Sequence, residues 1–229
     1  MSFKSEYSMV SRRNFYIPPP VSTDTTNSIM ATNTQLDIIG YLLNQEEPQT
    51  IRGIARALRK SYPLVYGAIQ ELGKEGALII KSAPPAKIIS LNQTAPPEWC
   101  IEAEKKLRQE FLRQHRWMKI FLQDYIAKSS STFSVLLVFG SYAKGKQTAH
   151  SDIDLLIIVP RKEDVEVMEE KLYSIPLKIK KQNIVVEEKD FHEMISKLNQ
   201  FNVGNEARKH HIILYGDEQY YALLAKTLP

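Results

Sequence analysis

Apolar side chains recur at helical spacing through the first half of the chain. Leu36, Ile39 and Leu43 mark one helix, and Glu46–Gln49 reads as a turn around Pro48. Thr50 is placed to cap a second helix with Ile51, Ile54, Ala55 and Leu58 inward. Ser61 is placed to cap a third, carrying Val65, Ala68, Ile69 and Leu72, which Gly73 and Gly76 are expected to stop. The rhythm then changes. Leu78–Lys81 and Lys87–Leu91 flank Ala83-Pro84-Pro85-Ala86 as a hairpin. After Pro96-Pro97 the helical period returns as one long amphipathic helix, residues 96–131, with Leu107, Phe111, Met118, Leu122 and Tyr125 along one face. Its basic residues lie elsewhere and read as solvated. Trp99 and Trp117 read as core or interface residues, and His115 as structural.

Residues 132–229 alternate between strand and helix. Phe133–Phe139 and Ile153–Val159 read as strands, separated by Gly140-Ser141 and a short helix. Val165, Met168 and Leu172 mark a helix with an acidic start. Ile179–Glu187 reads as a third strand and Phe191–Leu198 as a helix, with a short one near Asn205–His210. Ile212–Tyr215 reads as a last strand ended by Gly216, and Glu218–Leu228 as a closing helix. The fold class expected is α/β (α+β), with a mixed sheet flanked by helices in the C-terminal part.

Composition narrows this picture. Residues 1–33, rich in Ser, Thr, Asn and Pro, cannot bury a core and read as a disordered tail. The remainder divides into 34–95, a connecting helix over 96–131, and 132–229. Of the 229 residues 43% are hydrophobic and 24% charged, as in ordinary soluble proteins. No apolar run approaches membrane-spanning length, and no secretory signal is seen at the N-terminus. The single cysteine, Cys100, excludes an internal disulfide or a cysteine zinc cluster. His192, His210 and His211 lack metal-ligand spacing and read as surface or satisfied polar groups. A cytoplasmic protein without membrane contact is expected. The net charge of +4 permits contact with nucleic acid or nucleotides without demanding it.

The candidate chemistry sits between the first two strands of the C-terminal part. Asp152 and Asp154 are two residues apart at a strand start, so they project from the same face. Paired carboxylates repel unless a cation lies between them, and hard oxygen donors suit Mg2+, which also takes oxygens from a substrate phosphate. Gly140 lets the backbone approach an anion closely, and Ser141 adds a hydroxyl. These are the parts of phosphoryl or nucleotidyl transfer. A hairpin or βαβ connection carrying two surface aspartates is the plain alternative.

Phe139, Gly140, Ser141, a spacer of about ten residues, then Asp152-Ile153-Asp154-Leu155 resembles the motif of the DNA polymerase beta nucleotidyltransferase superfamily, in its minimal branch. The resemblance implies that Asp152 and Asp154 hold metal. It implies that Gly140 and Ser141 cradle the β- and γ-phosphates of a nucleoside triphosphate, ATP foremost, with Lys144 or Lys146 supplying charge. Relatives of this kind resemble antitoxins paired with small helical HEPN toxins, which makes a protein acceptor plausible. The superfamily usually has a third carboxylate on a neighbouring strand, as ligand or base. In Gln182-Asn183-Ile184-Val185-Val186-Glu187-Glu188 the expected place is held by Asn183, which cannot take a proton at neutral pH. Glu187 is expected on the same side, roughly 13 Å away at strand rise. Glu188 or Asp190 would serve only if the strand end curled inward.

The stretch Ile51–Ile80 resembles a winged helix-turn-helix of the MarR-like kind. That resemblance implies that Ser61, Tyr62, Pro63, Tyr66 and Gln70 face duplex DNA, with Lys60, Lys74, Lys81 and Lys87 at phosphates. Winged helices also serve as protein-docking modules, and the third helix holds no arginine or lysine before Lys74. The leading expectation is an Mg2+-dependent enzyme, forming a homodimer, that moves a nucleoside monophosphate to a hydroxyl. Two rivals stand beside it. One is a DNA-binding regulator whose transferase-like part is non-catalytic, and the other is an adaptor or antitoxin acting by binding alone.

Overall fold

The structure is a computed structural model that describes residues 31–128, 134–197 and 200–227. The expected tail falls outside these residues except at its last three positions. There Thr32 caps α1 (Asn33–Leu43) through a capping box with Gln35, so order begins earlier than composition suggests. Among the described residues, no helix is long and apolar enough to cross a membrane.

The N-terminal part follows with β1 (Gln49–Thr50), α2 (Ile51–Ala57), α3 (Tyr62–Lys74), β2 (Leu78–Ala83) and β3 (Ala86–Leu91). The Thr50 hydroxyl caps α2 by accepting from the Gly53 amide at 3.0 Å. Ser61 occupies the N-cap of α3 but makes no side-chain cap bond; Pro63 in the first turn supplies the start signal instead. Gly73 does not stop α3. It lies within the helix where a Cβ would come 2.6 Å from Ile80, so its lack of a side chain lets the helix pack on β2. Gly76, at φ +76°, ends the helix. The strands form an antiparallel sheet of order β1-β3-β2. Ile38, Ile39, Ile54, Val65, Ile69, Leu72 and Ile89 fill one core beneath it.

The single long helix expected next is two, α4 (Glu98–Gln114) and α5 (Arg116–Lys128), broken at His115. The His115 ring packs among Phe111, Trp117 and Tyr142, with centroids at 4.6, 5.7 and 5.4 Å. The break turns α5 so that Met118, Phe121 and Tyr125 reach the second core. Helix α4 joins both cores, with Trp99 and Ala103 in the first and Phe111 in the second.

The C-terminal part comprises β4 (Val135–Phe139), α6 (Gly140–Ala143), β5 (Ile153–Val159), α7 (Glu163–Tyr173), β6 (Lys181–Glu187), α8 (Glu188–Ser196), α9 (Val203–Lys209), β7 (Ile212–Tyr215) and α10 (Asp217–Thr227). The sheet order is β6-β5-β4-β7, with β5 and β6 parallel and the other pairs antiparallel. Its central strands are apolar on both faces, as burial between two helical layers requires. Leu155, Ile157 and Val185 face α4, α5 and α7; Leu156, Ile158 and Val186 face α8, α9 and α10. This mixed α/β arrangement agrees with the fold class expected from the alternation of periods.

Candidate active site

Strand β4 ends where Phe139 pairs with Asp154 of β5. The next residue, Gly140, takes φ +67°, a conformation that penalises any L side chain. A Cβ at Gly140 would lie 2.1 Å from Asp154 Oδ2. The glycine turn and the second aspartate are therefore in contact, and no other residue type fits between them. The chain then makes one helical turn, and the Lys146 amide donates to the Ser141 carbonyl at 2.9 Å. Lys144 and Lys146 are left exposed on this connection and Ser141 half-buried. A compact turn follows, in which the Ser151 hydroxyl accepts from the Thr148 amide at 2.9 Å. It delivers Asp152 to the start of β5, where Lys180 pairs with it at 2.9 Å on the surface.

Asp154 is a carboxylate under pressure. Burial raises its pKa, Glu206 and Asp152 raise it further, and Lys144 pulls the other way. Such a site favours a cation. Among the described residues, no group of three or more His, Cys, Asp or Glu is placed to hold a metal ion. Two carboxylates are nonetheless the usual protein share of an Mg2+ site completed by substrate phosphates, so Asp152 and Asp154 fit that ion.

The expected position of the third acid is corrected by the sheet register. Asn183 pairs with Leu155, and in a parallel ladder paired residues share a face. Asn183 therefore lies on the face opposite Asp154, where its Oδ1 is buried without a partner. The residue beside Asp154 is Gln182, which is not an acid either. Glu187 pairs with Val159 at the far end of the strand, on the wrong face. Glu188 begins α8 and approaches Lys226 at 3.9 Å, and Asp190 follows in the same helix. Neither curls toward the aspartates.

Sequence reasoning missed Glu206. Asn202 caps α9 by accepting from the Asn205 amide at 2.8 Å, and Gly204 lets the helix pack against Met194. This brings Glu206 to Lys144 at 2.9 Å, where its charge raises the pKa of Asp154. No motif marks it, because only tertiary packing joins α9 to the β4–β5 connection. Two cavities open around Lys144. One, of about 880 Å³, lies between α1, α4 and the Lys144–Lys146 connection. The other, of about 480 Å³, is lined by Lys144, Phe201, Asn205, Glu206, Lys209 and His210.

In the N-terminal part, Ser61, Tyr62, Pro63, Tyr66, Lys74, Lys81 and Lys87 are exposed. Tyr62 and Tyr66 stack at 6.0 Å and Lys87 Nζ lies 5.5 Å from the Tyr66 centroid. They border a groove of about 710 Å³ between α3 and the hairpin, to which α2 adds Arg52. Gln70 departs from expectation: it is half-buried, with Nε2 enclosed and unpartnered. Lys60 also departs, pairing with Asp37 at 3.2 Å. The exposed charge of this region includes Arg52 and Arg56 on α2, which the reading centred on α3 overlooked.

Residues 126–212 match the family model of the nucleotidyltransferase domain. No curated protein matches the chain. Among solved structures, the archaeal chromatin protein TrmBL2, described as showing a novel mode of DNA binding, aligns with 80% of this chain and 72% of its own. The identity is 10% and the TM-score 0.27.

Proposed function

We propose that this chain is an Mg2+-dependent nucleotidyltransferase that moves a nucleoside monophosphate from a triphosphate, ATP foremost, to a hydroxyl and releases pyrophosphate. The match of residues 126–212 supports the reaction class. The observation that carries the residue assignment is the contact between Gly140 and Asp154, which joins a bare backbone to a carboxylate whose pKa burial raises. Asp152 and Asp154 would hold Mg2+, which when bound supplies charge neutralisation at the α-phosphate and the leaving pyrophosphate. Gly140 lets the Asp154 carboxylate lie against the bare backbone of the turn that meets the phosphates, Ser141 donates a hydroxyl hydrogen bond to the phosphate oxygens, and Lys144 with Lys146 offsets their charge. The direct test is ATP binding with and without Mg2+, followed by transfer of α-labelled nucleotide to protein and RNA acceptors. A small helical HEPN-type partner is one candidate acceptor.

A second activity is favoured by the groove beside Tyr66. The three helices and the β1-β3-β2 sheet support a winged helix-turn-helix reading. Stacked tyrosines with Lys87 and Arg52 around them, and Lys74 and Lys81 exposed on the same helix and hairpin, suit the backbone and bases of duplex DNA. Binding as a homodimer would present two such faces. If DNA binding persists while no pyrophosphate is released, the regulator reading replaces the enzyme.

A further inference from the structure

Among the described residues, β6 places no carboxylate beside Asp154 to accept the proton of an attacking hydroxyl. On β6 the face shared with Asp154 offers Gln182 and Ile184, and the strand's only acid, Glu187, lies at the far end. The Lys144–Glu206 pair lies beside that site. Glu206 Oε1 meets Lys144 Nζ at 2.9 Å, and both side chains are about one-third exposed. Both groups also act on Asp154, in opposite directions. Together they line the 480 Å³ cavity on the α9 side, where Phe201 is 96% exposed at the rim. In its wall Asn205 is buried, with Oδ1 free of any partner. A second ion pair, Lys209–Glu46 at 2.9 Å, ties this cavity to the turn after α1.

Resting on the transferase reading, we propose that Glu206 is the base for the acceptor hydroxyl, that the cavity beside it admits that acceptor, and that Lys144 holds Glu206 in reserve until a triphosphate binds. Lys144 then exchanges partners. Its ammonium turns from the Glu206 carboxylate to the more highly charged phosphates. The freed carboxylate accepts the acceptor's proton as the acceptor oxygen bonds to the α-phosphorus. The bond from that phosphorus to the bridging oxygen breaks, its electron pair leaving on pyrophosphate. Glu206 afterwards returns the proton to solvent. Substrate binding and base activation are thus one event, which keeps the base unavailable before the triphosphate arrives.

The exchange gives opposite signs in two measurements. Glu206→Gln frees Lys144, so affinity for a fluorescent ATP analogue with Mg2+ should rise about two- to fivefold, the worth of one exposed ion pair. The same variant should lose about 100-fold or more in pyrophosphate release from γ-labelled ATP with water as acceptor, the usual share of general base catalysis. Lys144→Ala should weaken ATP binding. Glu206→Asp, which keeps the carboxylate on a shorter arm, should recover part of the turnover lost in Glu206→Gln. Unchanged turnover in Glu206→Gln, weaker ATP binding in it, or no advantage of Asp over Gln would overturn the proposal while leaving the transferase reading intact. A native chain that neither binds ATP with Mg2+ nor releases pyrophosphate removes both.

Discussion

Gly140 and Asp154 meet so closely that a single added carbon on the glycine would lie 2.1 Å from the aspartate Oδ2. Two elements of the sequence motif, separated along the chain, form one surface because Phe139 and Asp154 are paired across β4 and β5.

Gly140→Ala tests that surface. A non-glycine residue at φ +67° costs about 1–2 kcal/mol, and the Cβ must also displace the Asp154 carboxylate. The variant should melt at a lower temperature and lose Mg2+-dependent ATP binding. Ser141→Ala should weaken binding by only about 1 kcal/mol, the net worth of one hydrogen bond. Titration of both variants with ATP by calorimetry separates the two.

Asp154→Asn should trade function for stability. Burial and the neighbouring Glu206 and Asp152 disfavour its charge. Removing that charge should stabilise the protein without metal by up to about 1 kcal/mol, after screening by solvent. The same variant should no longer bind ATP with Mg2+. Chemical denaturation with and without Mg2+ checks both halves.

The joint between α4 and the C-terminal core carries a pH dependence. His211 Nε2 faces Glu104 Oε1 at 3.1 Å and Nδ1 faces the Ala207 carbonyl at 2.8 Å, an arrangement that favours the cationic ring with both nitrogens donating. Burial opposes that charge, but Glu104 and the two hydrogen bonds outweigh it and the pKa is raised. The unfolded chain titrates near about 6.5. The stabilisation is therefore complete below that value and is lost as pH rises through the folded pKa. The melting temperature should fall as pH rises above about 6.5 through this pair. Glu104→Gln should flatten that decline and cost about 3–5 kcal/mol at the lower pH, as breaking a buried pair does.

Duplex DNA binding should depend on the hairpin lysines. Lys81→Ala and Lys87→Ala should each reduce the slope of log K against log salt by about 0.9 for every phosphate the lysine neutralises. Tyr66→Ala should reduce discrimination between sequences, whereas Gln70→Ala should leave it unchanged because the Gln70 amide is enclosed. Anisotropy titrations over a salt series decide this, and binding without salt dependence contradicts it.

The parts of this molecule written locally were legible in its sequence. Thr50 and its apolar followers announce α2, and the apolar run that opens at Ile153 announces β5. What depends on register or on distant packing was not legible. Asn183 changes from candidate ligand to bystander through its pairing with Leu155, since a shift of one residue along a strand exchanges its faces. Glu206 meets Lys144 only because α9 packs against the β4–β5 connection. The break at His115 is equally hidden, because the apolar stripe runs through it without interruption and only its aromatic neighbours fix the turn.

The proposed function requires Asp152 and Asp154 to hold the metal that a triphosphate shares. The most direct measurement is ATP affinity with Mg2+ and with EDTA, for the native chain and for the Asp152→Asn, Asp154→Asn double variant. The native chain should bind ATP in Mg2+ and release it in EDTA, while the double variant stays folded and binds weakly in both. Equal affinity of the two proteins for ATP in Mg2+ would contradict the paired-carboxylate site.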